Sequence, residues 1–339
     1  MVFCIKNYLV KFAPLMQGNS TCSRLGCRLL LIPFLLTLVF ARTAQSEQIR
    51  FNKTPLENDL QLSYTWKDKS KERHQFSFTL PLSDIKTSHH KRFVPQQVTR
   101  YQYIAMQKER NNIDAKDARI EIKRIGQSLQ IKVNSRSQQA AKKYQQQLLE
   151  AKDNAFEQYL SDNYYSHFSD YLGQQGIKPD HLRYISENQA VLKPFAQAMY
   201  LEASESGDMR AFLNLLLSWL QSIPYDDLEN RLSSNGAGFS PPLALLSNNR
   251  GDCDSKSVLM ASVIRALFPQ IELVMLYLPN HALLGIAIPL VDDEQGLQIA
   301  GEPYVLMEPT GPALMSLNET ASSSQRAIDT GMYSYEIIP

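Results

Sequence analysis

Between Arg250 and Thr310, short polar turns separate strongly apolar runs, and this block constrains the fold more than any other part of the chain. The segment Arg250-Gly251-Asp252-Cys253-Asp254-Ser255-Lys256 runs straight into Val258, Leu259, Ala261, Val263, Ile264 and Leu267, a helical spacing closed by Phe268-Pro269. Ile271 to Leu278 then reads as a strand and Pro279-Asn280 as a turn, and His281 opens a second strand through Ala282, Leu283, Leu284, Ile286 and Ile288. A turn from Asp292 to Gly296 leads into a third strand ending Tyr304-Val305-Leu306-Met307-Glu308-Pro309-Thr310. A helix packed on antiparallel strands is α+β architecture.

The residues at the ends of these elements carry the chemistry. Cys253 opens the helix, where orphan backbone N–H groups and the positive end of the dipole favour a thiolate. Asp252 and Asp254 oppose that charge, so a dedicated base is needed. If the second and third strands pair about the turn, the midpoint of 281 and 308 falls between Glu294 and Gln295, and Glu308 is predicted to stand opposite His281. Thiol, imidazole and carboxylate are then nucleophile, base and orienting group, the set used in acyl transfer.

These residues resemble the transglutaminase-like superfamily, whose papain-like core carries Gly-Asp-Cys before a helix, His-Ala opening a strand, and an acidic residue followed by Pro-Thr. Here the motifs read Gly251-Asp252-Cys253, His281-Ala282 and Glu308-Pro309-Thr310, in the family's order. The resemblance runs from about Gln221 to Thr310 and implies a papain-like core with the Cys253 helix on an antiparallel sheet. Trp219-Leu220-Gln221-Ser222-Ile223-Pro224-Tyr225 is similar to the stretch before the cysteine in exported bacterial members, which makes Gln221 the candidate oxyanion-hole donor. Two positions depart from the family pattern: the acid is Glu where Asp is usual, and Leu283 stands where an aromatic often follows His-Ala. The resemblance implies a cysteine-dependent amide hydrolase (protease) or transglutaminase acting on protein or peptide substrates of the cell envelope through Cys253, His281 and Glu308, with no cofactor. The alternative is a non-catalytic peptide-binding or scaffold protein that keeps the fold.

Upstream, the period changes to two. Leu60, Leu62, Tyr64 and Trp66 alternate with polar residues and face Phe76, Phe78 and Leu80 across a charged turn; Ile120 and Ile122 face Leu129, Ile131 and Val133 across Gly126-Gln127-Ser128. Residues 47–134 are therefore read as a small β-rich accessory domain. Ala140, Tyr144, Leu148, Ala151, Ala155 and Tyr159 restore helical spacing, as do Leu192 to Met199 and the stripe Phe212, Leu215, Leu216, Trp219, Leu220. Residues 135–205 are read as a helical linker region and 206–339 as the catalytic domain.

Several function classes have no support. The net charge is +1 and no basic stripe with interleaved aromatics appears, so no nucleic-acid partner is expected. No phosphate-binding glycine pattern occurs, and two acids beside a thiol mix hard and soft ligands, so no metal is expected at Asp252 and Asp254. His89-His90 is read as a solvated loop, and His74, His167 and His181 belong to no constellation. Residues 1–44 have the basic, apolar and small-residue order of a secretory signal, with an uncleaved inner-membrane anchor as the alternative, which places the chain in the periplasm or cell envelope. Removing that segment takes Cys4, Cys22 and Cys27 with it and leaves Cys253 as the sole cysteine of the mature chain.

Overall fold

The structure, a computed structural model, describes residues 47–203, 208–230, 236, 238–291 and 294–339. The expected signal segment lies outside the described residues, as does most of the loop between Ser233 and Gly238. Among the described residues no helix is long and apolar enough to cross a membrane.

The chain is α+β. It opens with strands β1 (Glu47–Pro55), β2 (Asp59–Lys67) and β3 (Arg73–Pro81), which form an antiparallel three-stranded sheet. The alternation in the sequence gives the register directly: Leu60 pairs with Leu80, Leu62 with Phe78 and Tyr64 with Phe76. Two helices follow, α1 (Leu82–Thr87) and α2 (Pro95–Asn111). The second expected hairpin is present as β4 (Ala118–Ile125) and β5 (Ser128–Ser135), with Ile122 opposite Ile131. Helix α3 (Gln138–Asp162) starts at Ser137, whose hydroxyl accepts from the Ala140 N–H. A short hairpin, β6 (Tyr165–Ser169) and β7 (Gln175–Pro179), leads into α4 (His181–Ala203).

The second half is built on one five-stranded antiparallel sheet. Helices α5 (Met209–Ser222), α6 (Pro242–Asn248) and α7 (Cys253–Leu267) precede β8 (Leu273–Leu278), β9 (His281–Ile286), β10 (Leu297–Ile299) and β11 (Glu302–Met307). Helix α8 (Ser322–Asp329) and β12 (Ser334–Ile338) complete the chain, and the strand order is β10-β11-β9-β8-β12. The runs in β8, β9 and β11 do not alternate because both faces of the sheet are covered. Met275, Tyr277, Ala282, Leu284, Val305 and Met307 pack with α4, α5 and α7, whereas Val274, Leu276, Leu283, Tyr304 and Leu306 pack with Ala327 and Ile328 of α8.

The front sheet has no core of its own. Leu62, Tyr64, Trp66, Phe76, Phe78 and Leu80 belong to the same apolar cluster as α5, α7 and β8. The Trp66 indole N–H donates to Ser218 Oγ at 3.0 Å, and the Tyr64 hydroxyl donates to the Leu246 carbonyl at 3.0 Å. The β4–β5 hairpin instead closes a separate small cluster, Met106, Ile122 and Leu148, between α2 and α3. Residues 47–134 thus divide among three clusters, the third formed by Val98 with Tyr159, Leu160 and Tyr165, and the strands nearest the start of the described chain belong to the one that carries the site.

Candidate active site

Glu308 and His281 meet as the sequence reading requires, but by a different register. Strands β9 and β11 pair Ile286 with Val305, Gly285 with Leu306 and Leu284 with Met307. Continued by one residue, that register puts Glu308 opposite Leu283, not opposite His281. The shift is two residues, so both side chains keep the same face, and His281 becomes a diagonal neighbour. A glutamate is long enough to close the diagonal: its Oε1 lies 3.0 Å from His281 Nε2. The cause is the inserted edge strand. The tight turn is at Ala300-Gly301, both with positive φ, between β10 and β11, whereas the expected turn at 292–296 is part of the longer connection from β9 to β10. Asp292 and Asp293 lie outside the described residues.

Glu308 is held from several directions. It is buried, and its Oε2 accepts from the Ala321 N–H at 2.9 Å, just before α8. Burial alone would raise its pKa, but the bond to His281, the imidazole's charge, the Ala321 N–H and Ser324 outweigh it and hold the carboxyl below its ordinary value. A carboxylate at the start of a helix is also favoured by the dipole.

His281 begins β9 after the two-residue turn Pro279-Asn280, where Asn280 takes φ +62, a conformation asparagine tolerates. By alternation its side chain belongs with Leu283, on the face that α8 covers. The Cys253 end of α7 arrives at that end of the sheet: Ser257, one turn along from Cys253, has its hydroxyl 3.4 Å from the Ala282 carbonyl, and the charge of His281 acts on Asp254.

Cys253 is the first residue of α7, as its polar-to-apolar boundary foretells, and Asp252 caps the helix by accepting from the Ser255 N–H at 3.0 Å. Asp254 Oδ1 lies 3.4 Å from Cys253 Sγ. The side chain of Cys253 is fully buried and the residue is disulfide-bonded, while the other three cysteines of the chain lie outside the described residues. The two flanking acids oppose a thiolate less than their formal charges suggest. Burial pushes Asp254 up to about 6, and burial together with the charge of Asp254 pushes Asp252 well above the carboxylate range. Lys256, one turn from Asp252 and equally buried, is brought down to about 7 by burial against the pull of Asp252.

Gln221 is not an oxyanion donor in this arrangement. Its amide nitrogen donates to the carbonyls of Glu308 and Met315, both at 2.9 Å, and its Oε1 accepts from the Met315 N–H at 3.2 Å. Both amide hydrogens are consumed. Gln221 instead braces the segment that carries Glu308. The approach is close enough that a Cβ on Gly311 would lie 1.9 Å from the Gln221 carbonyl oxygen.

Three histidines depart from the sequence reading. His74 Nε2 lies 3.0 Å from Asp68 Oδ2, in a cluster with Glu72. His90 is buried, not solvated: its Nδ1 lies 3.0 Å from the Tyr184 hydroxyl, and burial takes its pKa down to about 3. His181 does belong to a constellation, with its Nε2 3.8 Å from Asp254 Oδ2 and its Nδ1 3.0 Å from the Tyr277 hydroxyl. Only the packing of α4 against α7 brings it there, and no local pattern marks it.

Comparison with protein-family models, curated proteins and solved structures finds no match. The site is therefore read from its own geometry.

Proposed function

We propose that the chain is an exported, cysteine-dependent acyl-transfer enzyme of transglutaminase-like, papain-like architecture, acting on amides of proteins or peptides in the cell envelope. The observation that carries this reading is the bond between His281 Nε2 and Glu308 Oε1 at 3.0 Å, made by a carboxylate that is buried and kept ionised. That bond fixes one ring nitrogen and leaves Nδ1 for proton transfer, the division of labour a thiol's base requires. Cys253 Sγ attacks the amide carbonyl after His281 takes its proton; His281 then protonates the leaving amine, and water or a second amine resolves the thioester. The helix start at Cys253 and the raised pKa of Asp252 support a thiolate there. The chemistry uses the sulfur in its reduced form, the form open to a signal-cleaved chain whose sole cysteine is Cys253.

The full burial of Cys253 favours a second reading, a protein that keeps the fold to bind extended peptides. The two separate by product. The reduced chain is incubated with envelope fractions and the peptides are mapped against Cys253→Ala. Cleaved or cross-linked peptides present only with Cys253 support the enzyme, and identical maps leave the binding protein.

A further inference from the structure

Cys253 has a second titratable neighbour besides its expected base. From Asp254 a polar chain, fully buried at His181 and half-buried at Asp254 and Glu336, leads through α4, β8 and β12 to β7. Asp254 Oδ2 faces His181 Nε2 at 3.8 Å, and His181 Nδ1 lies 3.0 Å from Tyr277 Oη. Tyr277 Oη is 2.6 Å from Glu336 Oε2, which is also 2.9 Å from Lys178 Nζ.

The proton positions along this chain follow in order. Glu336 is paired with the Lys178 ammonium and is a carboxylate, so at 2.6 Å it takes the single proton of the Tyr277 hydroxyl as its hydrogen bond. The Tyr277 oxygen can then only accept from His181, which fixes the imidazole hydrogen on Nδ1. Burial first, then the charges of Lys178 and His90, lower the His181 pKa, so its Nε2 is a lone pair. That atom is fully buried and makes no hydrogen bond among the described residues, yet it lies 3.8 Å from the Asp254 carboxyl. A lone pair facing a bare carboxylate in a buried site is repulsive; a proton between them removes the conflict.

We propose that the proton between Asp254 and His181 sits on the carboxyl, so that the group beside Cys253 Sγ is neutral in the reactive state and its loss of that proton suppresses the thiolate. The placement of the proton stands on the hydrogen bonds that fix the His181 tautomer and on the full burial of its ring; its effect on reactivity rests on the thiol-enzyme reading. The raised pKa of Asp254, about 6, agrees in direction. The other titratable groups bearing on the pair are Asp252 on the same helix boundary, His281 on β9, Lys178 on β7, Tyr277 on β8, Glu336 on β12, Tyr225 before α6, and His90 beside His181. A carboxyl with a raised pKa is neutral below that value and charged above it, so the opposition to the thiolate grows as pH rises.

The test has two arms on the full-length chain. Long-range proton–nitrogen spectra at about pH 5, below the Asp254 inflection, with His181 assigned by its loss in His181→Phe, should show the Nδ1–H tautomer; an Nε2–H tautomer there would mean that the imidazole donates to an ionised Asp254 and would overturn the proposal. Alkylation of reduced Cys253 by a neutral reagent, followed across pH, should show an inflection near 6 that Asp254→Asn abolishes. At pH 8 the variant should react roughly tenfold faster, the equivalent of one pKa unit. Superimposable profiles, or a slower variant, would contradict it. If instead His281→Ala leaves alkylation unchanged, the thiol-enzyme reading fails while the His181 tautomer still decides where the proton sits.

Discussion

Glu308 reaches His281 along the diagonal of an antiparallel strand pair, from opposite Leu283, and closes on Nε2 at 3.0 Å. The diagonal needs length, which glutamate has over aspartate. Glu308→Asp should therefore lose the contact while keeping the charge, and Glu308→Gln should keep the contact while losing the charge. Both are expected to lower the reactivity of reduced Cys253, by about 10²-fold or more for Gln if the carboxylate stabilises the imidazolium. Rates of thiol alkylation at pH 7 measure this.

The same carboxyl makes stability acid-sensitive. Its folded pKa lies below the ordinary 4.5, so its contribution is complete above that value and is lost as pH falls through the folded pKa. Denaturant midpoints should drop between about pH 5 and pH 3 in the native chain. Glu308→Gln should flatten that part of the profile.

Gln221 distinguishes a brace from an oxyanion donor. Gln221→Glu removes two buried donors and leaves the Glu308 and Met315 carbonyls facing a carboxylate. The expected cost is at least about 1–3 kcal/mol of stability. A fall in turnover with an unchanged melting curve would restore the oxyanion role.

Gly311 is fixed by the same packing. A Cβ there meets the Gln221 backbone, which cannot rotate away, whereas one at Gly176 meets nothing within 4 Å. Gly311→Ala should destabilise by roughly 1–3 kcal/mol or more, the range of an overpacked core, and Gly176→Ala should be near neutral. Thermal melts of the two variants side by side test the contrast.

The shared core predicts cooperativity between the front sheet and the site. Trp66 and Trp219 are both fully buried in one cluster, and Trp66 is hydrogen-bonded to Ser218. Trp66→Ala should cost about 3–5 kcal/mol. It should also lower the unfolding midpoint seen at Cys253 as much as the midpoint seen by overall secondary structure. Separate transitions would mean an independent front domain.

Much of this was legible because it rests on local periodicity. The β2–β3 and β4–β5 registers follow from alternation, and α7 begins at Cys253 because the polar turn stops there. Glu308 was found through a turn in the wrong place, and the reading survived because an error of two residues preserves the face. The true turn was hidden because Ala300 sits where Asn or Asp usually announces positive φ. Helix α2 escaped notice among the strands: few of its residues are buried, Val98, Thr99 and Met106, and only Pro95 at its first turn marks it. The partners of Gln221 and His181, the Met315 backbone and Tyr277, are supplied by tertiary packing that no window of sequence contains.

The most direct measurement is the rate at which a neutral alkylating reagent modifies reduced Cys253 at pH 7, in the native chain and in His281→Ala, with intact mass reporting the product. An activated nucleophile should react faster than the same chain unfolded in denaturant, and His281→Ala should be slower by about 10²–10⁴-fold. Equal rates in the native protein and the variant, or slower labelling folded than unfolded, would contradict the assignment of Cys253 as the nucleophile.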